Sequence, residues 1–292
     1  MTTDEFVAHR SLLFTVAYEM LGSAADAEDV VQETWLRWAA LGDTARADVR
    51  DPRAYLVRIV TRQSLNRLRT LARQREDYVG EWLPEPLLTS PDVAEDVELA
   101  ESVSYAMLTV LETLGPTERA VFVLRDVFDT PYEEVAEAIG KSPAAVRQIA
   151  HRAREHVAAR RPRVRVSRAE QDAVVERFLV AVRGGDLQGL LDVLAPDVVL
   201  VADGGGIVAA AARPVVSARK VAKLLAAWAH MTSDNVARPM WVNGGPALRF
   251  EMNGELNTVA SFVIEDGRIA RIYAVRNPDK LARIEEEAEL RR

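Results

Sequence analysis

The chain has 292 residues, 49% hydrophobic and 28% charged, with a net charge of −7, an ordinary balance for two or three globular domains and unlike that of a disordered chain. No apolar run reaches the roughly 18 residues of a membrane-spanning helix, and Met1 to Arg10 carries Asp4 and Glu5 in place of a basic stretch and cleavage site, so no secretory signal or membrane partner is expected and the cytoplasm is the expected location. Without cysteine there is no disulfide, thiolate zinc site or thiol nucleophile, and four scattered histidines lack metal-ligand spacing, so neither a metal nor another cofactor is expected.

Residues 5 to 75 read as helices, because Phe6, Leu13, Val16, Ala17 and Met20 recur at helical spacing with few breakers; a first all-helical domain over 1–76 follows. Within it Asp26, Asp29 and Glu33 stand at i, i+3 and i+7 on one helix face, and Val31, Trp35 and Trp38 offer apolar contact area nearby. Such an acidic strip suits a basic partner helix or is simply a solvated face. From Arg46 to Arg75 nine arginines stand against Asp48 and Asp51, with Arg58, Arg62, Arg69 and Arg73 near one helix face, where they suit a phosphate backbone. From Glu76 to Glu118 there is no Lys or Arg at all. Trp82, Pro84, Glu85, Pro86 and Pro91 mark an extended linker, here bounded as 77–98, since proline lacks an amide donor and restricts its predecessor.

A second helical domain is expected over 99–162. Thr130 is placed to cap a helix, Pro131 fits its first turn, and Glu133 stands where a capping-box partner belongs. That helix ends at Gly140, and Ser142-Pro143 starts another after a tight turn, which is helix-turn-helix spacing. On the second helix Val146, Ile149, Ala150, Ala153 and Val157 form one apolar stripe, leaving Arg147, Gln148, His151, Arg152 and Arg154 on the other face. Arginine pairs bidentately with guanine and glutamine with adenine, so this face can read a major groove; the plainer reading is a solvated basic face. From Lys141 to Arg168 nine basic residues stand against Glu155 alone, and Arg161-Pro162-Arg163 opens a second linker ending near Arg168.

The pattern then changes kind. Residues 169–194 read as helical, Ala195-Pro196-Asp197 as a break, Val198 to Val201 as a short strand and Ser217 to Ala229 as an amphipathic helix. Asn243-Gly244-Gly245, Asn253-Gly254 and Asp266-Gly267 suit hairpins and imply about four antiparallel strands. An α+β domain over 168–284, with helices on one face of a curved sheet, is expected, followed by a tail over 285–292.

Ala27-Glu28-Asp29-Val30-Val31-Gln32-Glu33-Thr34-Trp35-Leu36-Arg37-Trp38 closely resembles the segment of sigma factors that grips the clamp helices of RNA polymerase. The resemblance to the extracytoplasmic-function type implies that Asp29, Gln32, Glu33 and Trp35 bind core polymerase. It implies further that the helix from Pro52, with Arg58, Arg62, Asn66 and Arg69, engages the promoter's minus-ten region after a base-capturing loop near Leu41 to Asp51. The helix-turn-helix would then read the minus-thirty-five element, and the acidic linker would bridge the two through the polymerase. The C-terminal part resembles the SnoaL-like, ketosteroid-isomerase-like fold, a conical α+β barrel with a pocket. Trp82-Leu83-Pro84-Glu85-Pro86, Asp203-Gly204-Gly205-Gly206 and Asn277-Pro278-Asp279-Lys280-Leu281 look like signatures of the sigma J-like subgroup that carries this domain fused, with Ile207 where a lysine commonly follows the glycines. This implies regulation in cis, in which the linker, anchored by a buried Trp82, docks on the glycine loop and the Asn277 segment. Two other readings stand beside it: a ligand-responsive helix-turn-helix regulator independent of polymerase, and a barrel isomerase or cyclase using Asp203 as base and Tyr273 as oxyanion donor. The expected reading has no catalytic residue. Its partners are core RNA polymerase and promoter DNA, with room for a small-molecule ligand in the C-terminal domain.

Overall fold

The computed structural model describes residues 2–160, 166–230 and 235–292. Arg161, Arg163 and Arg165 of the second basic block, and most of the expected second linker, lie outside the described residues, as do the side chains of Arg73 and Arg75. Helices α1 (Thr2–Leu21), α2 (Ala24–Ala39), α3 (Asp43–Ala47) and α4 (Pro52–Glu76) form the first helical unit. The turn between α1 and α2 needs positive φ at Gly22 (67°), and Ser23 caps α2 by accepting from the Asp26 amide. Val31 and Trp38 are fully buried, Trp38 tilted against Tyr55 at 5.8 Å, so they build this core instead of offering contact area to a partner. The exposed apolar neighbour of the acidic strip is Leu36.

The second helical unit comprises a 3₁₀ turn (Pro91–Glu95), α5 (Val97–Val103), α6 (Tyr105–Leu111), α7 (Pro116–Phe122), a π turn (Val123–Val127), α8 (Tyr132–Ile139) and α9 (Pro143–Ala158). Thr130 does not cap α8: the helix starts one residue later, so that Pro131 holds the cap position without a side-chain hydrogen bond, and the Thr130 amide donates to the Leu124 carbonyl. Gly140 ends α8 in the left-handed region (φ 69°), and the Ser142 hydroxyl accepts from the Ala145 amide to start α9. The predicted stripe of Val146, Ile149, Ala150, Ala153 and Val157 is buried throughout. The two helical units share one continuous hydrophobic core.

The third unit contains α10 (Arg168–Gly184), α11 (Leu187–Val193), β1 (Leu194–Asp203), β2 (Val215–Val216), α12 (Ala218–Ala229), β3 (Val236–Val242), β4 (Gly245–Met252), β5 (Glu255–Glu265), β6 (Arg268–Val275) and α13 (Pro278–Leu281). The sheet order is β2-β1-β6-β5-β4-β3, antiparallel except for the β1–β6 pair. The three Asn/Asp-Gly turns all adopt positive φ and make the β3–β6 meander anticipated from them. Ala195-Pro196-Asp197 does not break the chain ahead of a strand; it lies inside β1 at an irregularity between Leu194 and Val199 that the Pro196 ring can occupy. Helices α10 to α12 pack on one face, as expected of a SnoaL-like α+β domain, and Phe178, Leu200, Phe250 and Ile272 pack the space between helices and sheet.

The other face of the sheet is also covered. Val242, Ala247, Val259, Tyr273 and Val275 pack on Tyr105 of α6 and on Leu83 of the Pro-rich segment. The last residues run back across the molecule: Leu88 pairs with Glu287, the Arg291 amide donates to Thr15 Oγ1 (3.1 Å), and Leu290 is buried in the shared helical core.

Candidate nucleic-acid interface and the strap beneath it

On α2, Asp29, Gln32 and Glu33 are exposed, and Trp35 is half-buried with its ring 5.1 Å from Phe6. Arg67 of α4 pairs with Asp26 (2.5 Å) and lies 3.8 Å from Asp29, and Gln63 donates to Glu33 (2.8 Å). The acidic strip is thus held in place by α4 while its outer edge stays open.

On α9, Arg147, Gln148, His151 and Arg152 are exposed. Arg147 stacks on Tyr132 (5.3 Å) and meets Glu133 (3.1 Å), a solvent-exposed pair of little worth that DNA can displace. Arg154 is different. It donates to Asp126 (2.6 Å) and to the Tyr132 hydroxyl (3.2 Å), so it ties α9 to the π turn, and a base contact would have to replace both bonds.

On α4, Asn66 and Arg69 are exposed and share a hydrogen bond (3.3 Å). Arg58 and Arg62 instead face the helix-turn-helix. Arg58 is ion-paired with Glu137, and Arg62 donates to the backbone carbonyls of Glu137 (2.8 Å) and Ala138 (3.2 Å). These carbonyls end α8, where unpaired acceptors and the helix dipole both attract a cation. A cleft of about 360 Å³ between Asp48–Asp51 and Glu134/Glu137 borders this contact.

The Pro-rich segment is no open spacer; it is a buried strap. Asp203, fully buried at the end of β1, accepts from the Tyr78 hydroxyl (2.6 Å), the Leu83 amide (2.8 Å), the Gly205 amide (3.0 Å) and Lys280 Nζ (2.7 Å). Lys280 also donates to the Leu83 carbonyl (2.5 Å) and lies 4.0 Å from the Trp82 ring centre, supplying the cation that Ile207, which is exposed, does not. Asn277 caps α13 through the Asp279 amide and donates to the Tyr78 hydroxyl (3.0 Å), while Pro278 and Asp279 themselves face solvent. A Cβ on Gly205 (φ 62°) would collide with the Asn277 amide, and one on Gly204 with the Val208 carbonyl, so both must be glycine; Gly206 (φ 72°) lies against Val79. Trp82 is only half-buried, so the anchor lies further along, at Leu83 to Leu87, because Trp82 covers Lys280 from outside while the prolines lie beneath. The Pro84 carbonyl accepts from the Tyr105 hydroxyl.

Several residues here carried no recognisable signal. Glu85 accepts from the Ala24 (2.8 Å) and Ala25 (3.3 Å) amides and from Ser23 (3.2 Å), capping α2 from outside; burial raises its carboxyl above the usual range, opposed by those donors. Asn243, read only as a turn residue, is buried and binds three modules: its Oδ1 accepts from the Leu87 amide (3.0 Å), and its Nδ2 donates to the Tyr18 hydroxyl (2.7 Å) and the Val103 carbonyl (3.0 Å). Glu19, also buried, accepts from Ser102 (2.8 Å) near Arg119, and burial pushes its carboxyl up to about 8. An acid set between two prolines is the one legible hint, for Glu85.

Asp203, saturated by the strap, is not poised as a base, and the Tyr273 hydroxyl accepts from Thr109 (3.2 Å) in the packed face against α6. No helix among the described residues is long and apolar enough to cross a membrane.

Residues 6–74 match the family model for Sigma-70 region 2, and residues 104–157 that for Sigma-70, region 4. The chain is 36% identical to the ECF RNA polymerase sigma factor SigJ of Mycobacterium tuberculosis, across 96% of this chain and 93% of that one. It is 35% identical to the probable ECF sigma factor SigI of the same organism, across 94% and 92%. The crystal structure of M. tuberculosis SigJ superposes with a TM-score of 0.77 at 34% identity, covering 96% of this chain and 98% of that one.

Proposed function

The chain belongs to the extracytoplasmic-function RNA polymerase sigma factors, and on that premise we propose a division of labour among its surfaces. As a member of that family it binds core RNA polymerase and promoter DNA; neither the polymerase-independent regulator nor the barrel enzyme is favoured. It acts where the transcription machinery is, in the cytoplasm, and its part is binding, not catalysis.

Asp29, Gln32, Glu33 and Trp35, with Leu36, form the surface for the polymerase clamp. Arg147, Gln148, His151 and Arg152 read the minus-thirty-five element, while Arg58, Arg62, Asn66 and Arg69 take the minus-ten strand. The C-terminal domain controls this in cis by gripping the strap from Tyr78 to Ser90, holding the two helical units closed so that Arg58 and Arg62 are engaged by α8. Polymerase binding must part that contact. The observation that carries this reading is the occupation of the two α4 arginines by the end of α8 while the α9 face stays open.

Reconstituted transcription tests it. Core polymerase with the full chain should initiate from a subset of genomic fragments, and a charge reversal at Glu33 (Glu33→Lys) should abolish initiation without loss of fold. Failure of the wild-type chain to initiate at any promoter would sink the assignment.

A further inference from the structure

The core between the helices and the sheet is packed, yet a cleft of about 940 Å³ opens between α5–α6 and the sheet's opposite side. That volume is in the range of sites for small organic ligands. Its floor contains Ser261 and Val263 of β5, its wall Glu101, Tyr105 and Met107, and its rim Arg168. We propose that this cleft binds a small amphipathic anion, a planar apolar molecule bearing one acidic group, and that the occupant fastens the second helical unit to the sheet.

Three observations converge. The Ser261 hydroxyl is buried (6% exposed) and has no hydrogen-bond partner among the described residues, so it lines the cleft with an unused donor and acceptor. An unpaired buried hydroxyl is destabilising, and a ligand's polar atom would recover that loss. Arg168 stands over the Trp241 ring at the exposed edge of the cleft, its guanidinium carbon 4.4 Å from the ring centre, with its N–H donors within reach of an acidic group. The same rim is the first turn of α10, a 17-residue helix capped by Ser167, whose dipole adds positive potential there. Tyr105, Met107, Val263 and Trp241 supply the apolar walls, and Glu101 across the cleft selects against a second acidic group. Because the wall belongs to one module and the floor to another, only the docked arrangement is complementary to the ligand, and occupancy stabilises docking. This consequence rests on the closed sigma arrangement proposed above; the site itself does not.

The probe is 1-anilinonaphthalene-8-sulfonate, an aromatic body with a single sulfonate, titrated into the full chain and followed by fluorescence. One dye per chain is expected, with Ser261→Phe and Arg168→Glu each weakening affinity at least tenfold. N-phenyl-1-naphthylamine, the same body without sulfonate, should lose affinity to Ser261→Phe only. Sulfonate dye should raise the thermal midpoint of the wild type and, at the same concentration, raise that of Arg168→Glu clearly less. Arg168 is exposed, so that variant decides the question even if Ser261→Phe does not fold. Wild-type affinity in Arg168→Glu, or several dyes per chain, overturns the site. Initiation assays on the same preparations separate the failures: intact initiation with no specific dye site removes the cleft alone, and dye binding without initiation removes the sigma reading alone.

Discussion

Helices α4 and α9 both carry an arginine-rich face, and the fold treats them in opposite ways. On α9, Arg147 and Arg152 stand in solvent, with Arg147 in a weak exposed pair with Glu133. On α4, Arg58 and Arg62 are drawn onto Glu137 and the last carbonyls of α8. One basic face is presented, and the other has two of its arginines engaged by the very unit that carries the first, while Asn66 and Arg69 stay exposed. Local charge marks both as candidate DNA surfaces; only the position of one relative to the other decides which is available. The two units meet through one shared hydrophobic core, and the third unit grips the strap between them through Asp203 and Asn243.

The comparison breaks most readily at Asp203. Asp203→Ala removes the acceptor of the Leu83 amide, the Tyr78 hydroxyl and Lys280 at once, leaving a largely buried cation without its carboxylate. A loss of about 3–5 kcal/mol is expected in urea unfolding, with faster proteolysis of the strap. An unchanged midpoint would mean that the strap is held elsewhere.

A smaller effect comes from pH. Glu19 joins α1 to α5 through Ser102, and burial, which disfavours the charged form, pushes its carboxyl up from the ordinary 4.5 to about 8. The folded state therefore keeps a proton that the unfolded chain releases. The stability contributed by this group is greatest below about 4.5, falls as pH rises through the interval up to about 8, and levels off above it. The slope from this group is at most about 1.4 kcal/mol per pH unit. Glu19→Gln, which cannot ionise, should flatten it; a wild-type slope in that variant removes Glu19 as the cause.

The finest test sets the two faces against each other. Arg152→Ala should weaken duplex binding by about 1–3 kcal/mol where the contact is bidentate. Glu137→Gln, on the exposed side of the α4–α8 contact, should change stability by less than about 1 kcal/mol while strengthening single-strand binding through α4. Equal responses of the two faces to both variants would erase the distinction between them.

Much of this was legible along the chain because it depends on neighbours in sequence. The Ser142 cap, the left-handed Gly140, the α9 stripe and the three Asn/Asp-Gly hairpins each need only a few consecutive residues, and so does the acidic strip of α2. Thr130 departs from the expectation because α8 starts one residue later, with Pro131 at the cap, after a π turn, a break in helical register with no local signature. Trp38 and Val31 look like partner surface in the sequence because one helix face resembles another until α1 and α4 cover it.

The sequence by itself therefore determined the modules: two helical units, a helix-turn-helix with its basic face, and an α+β unit with its hairpins, all consequences of periodicity and turn chemistry. Tertiary structure alone decided what they are to one another. Asn243 meets Tyr18 across 225 positions, Asp203 meets Leu83 across 120, and Arg62 meets Glu137 across 75. Contacts at such separations leave no periodic trace, since burial of a polar side chain is set by what folds over it and not by what flanks it.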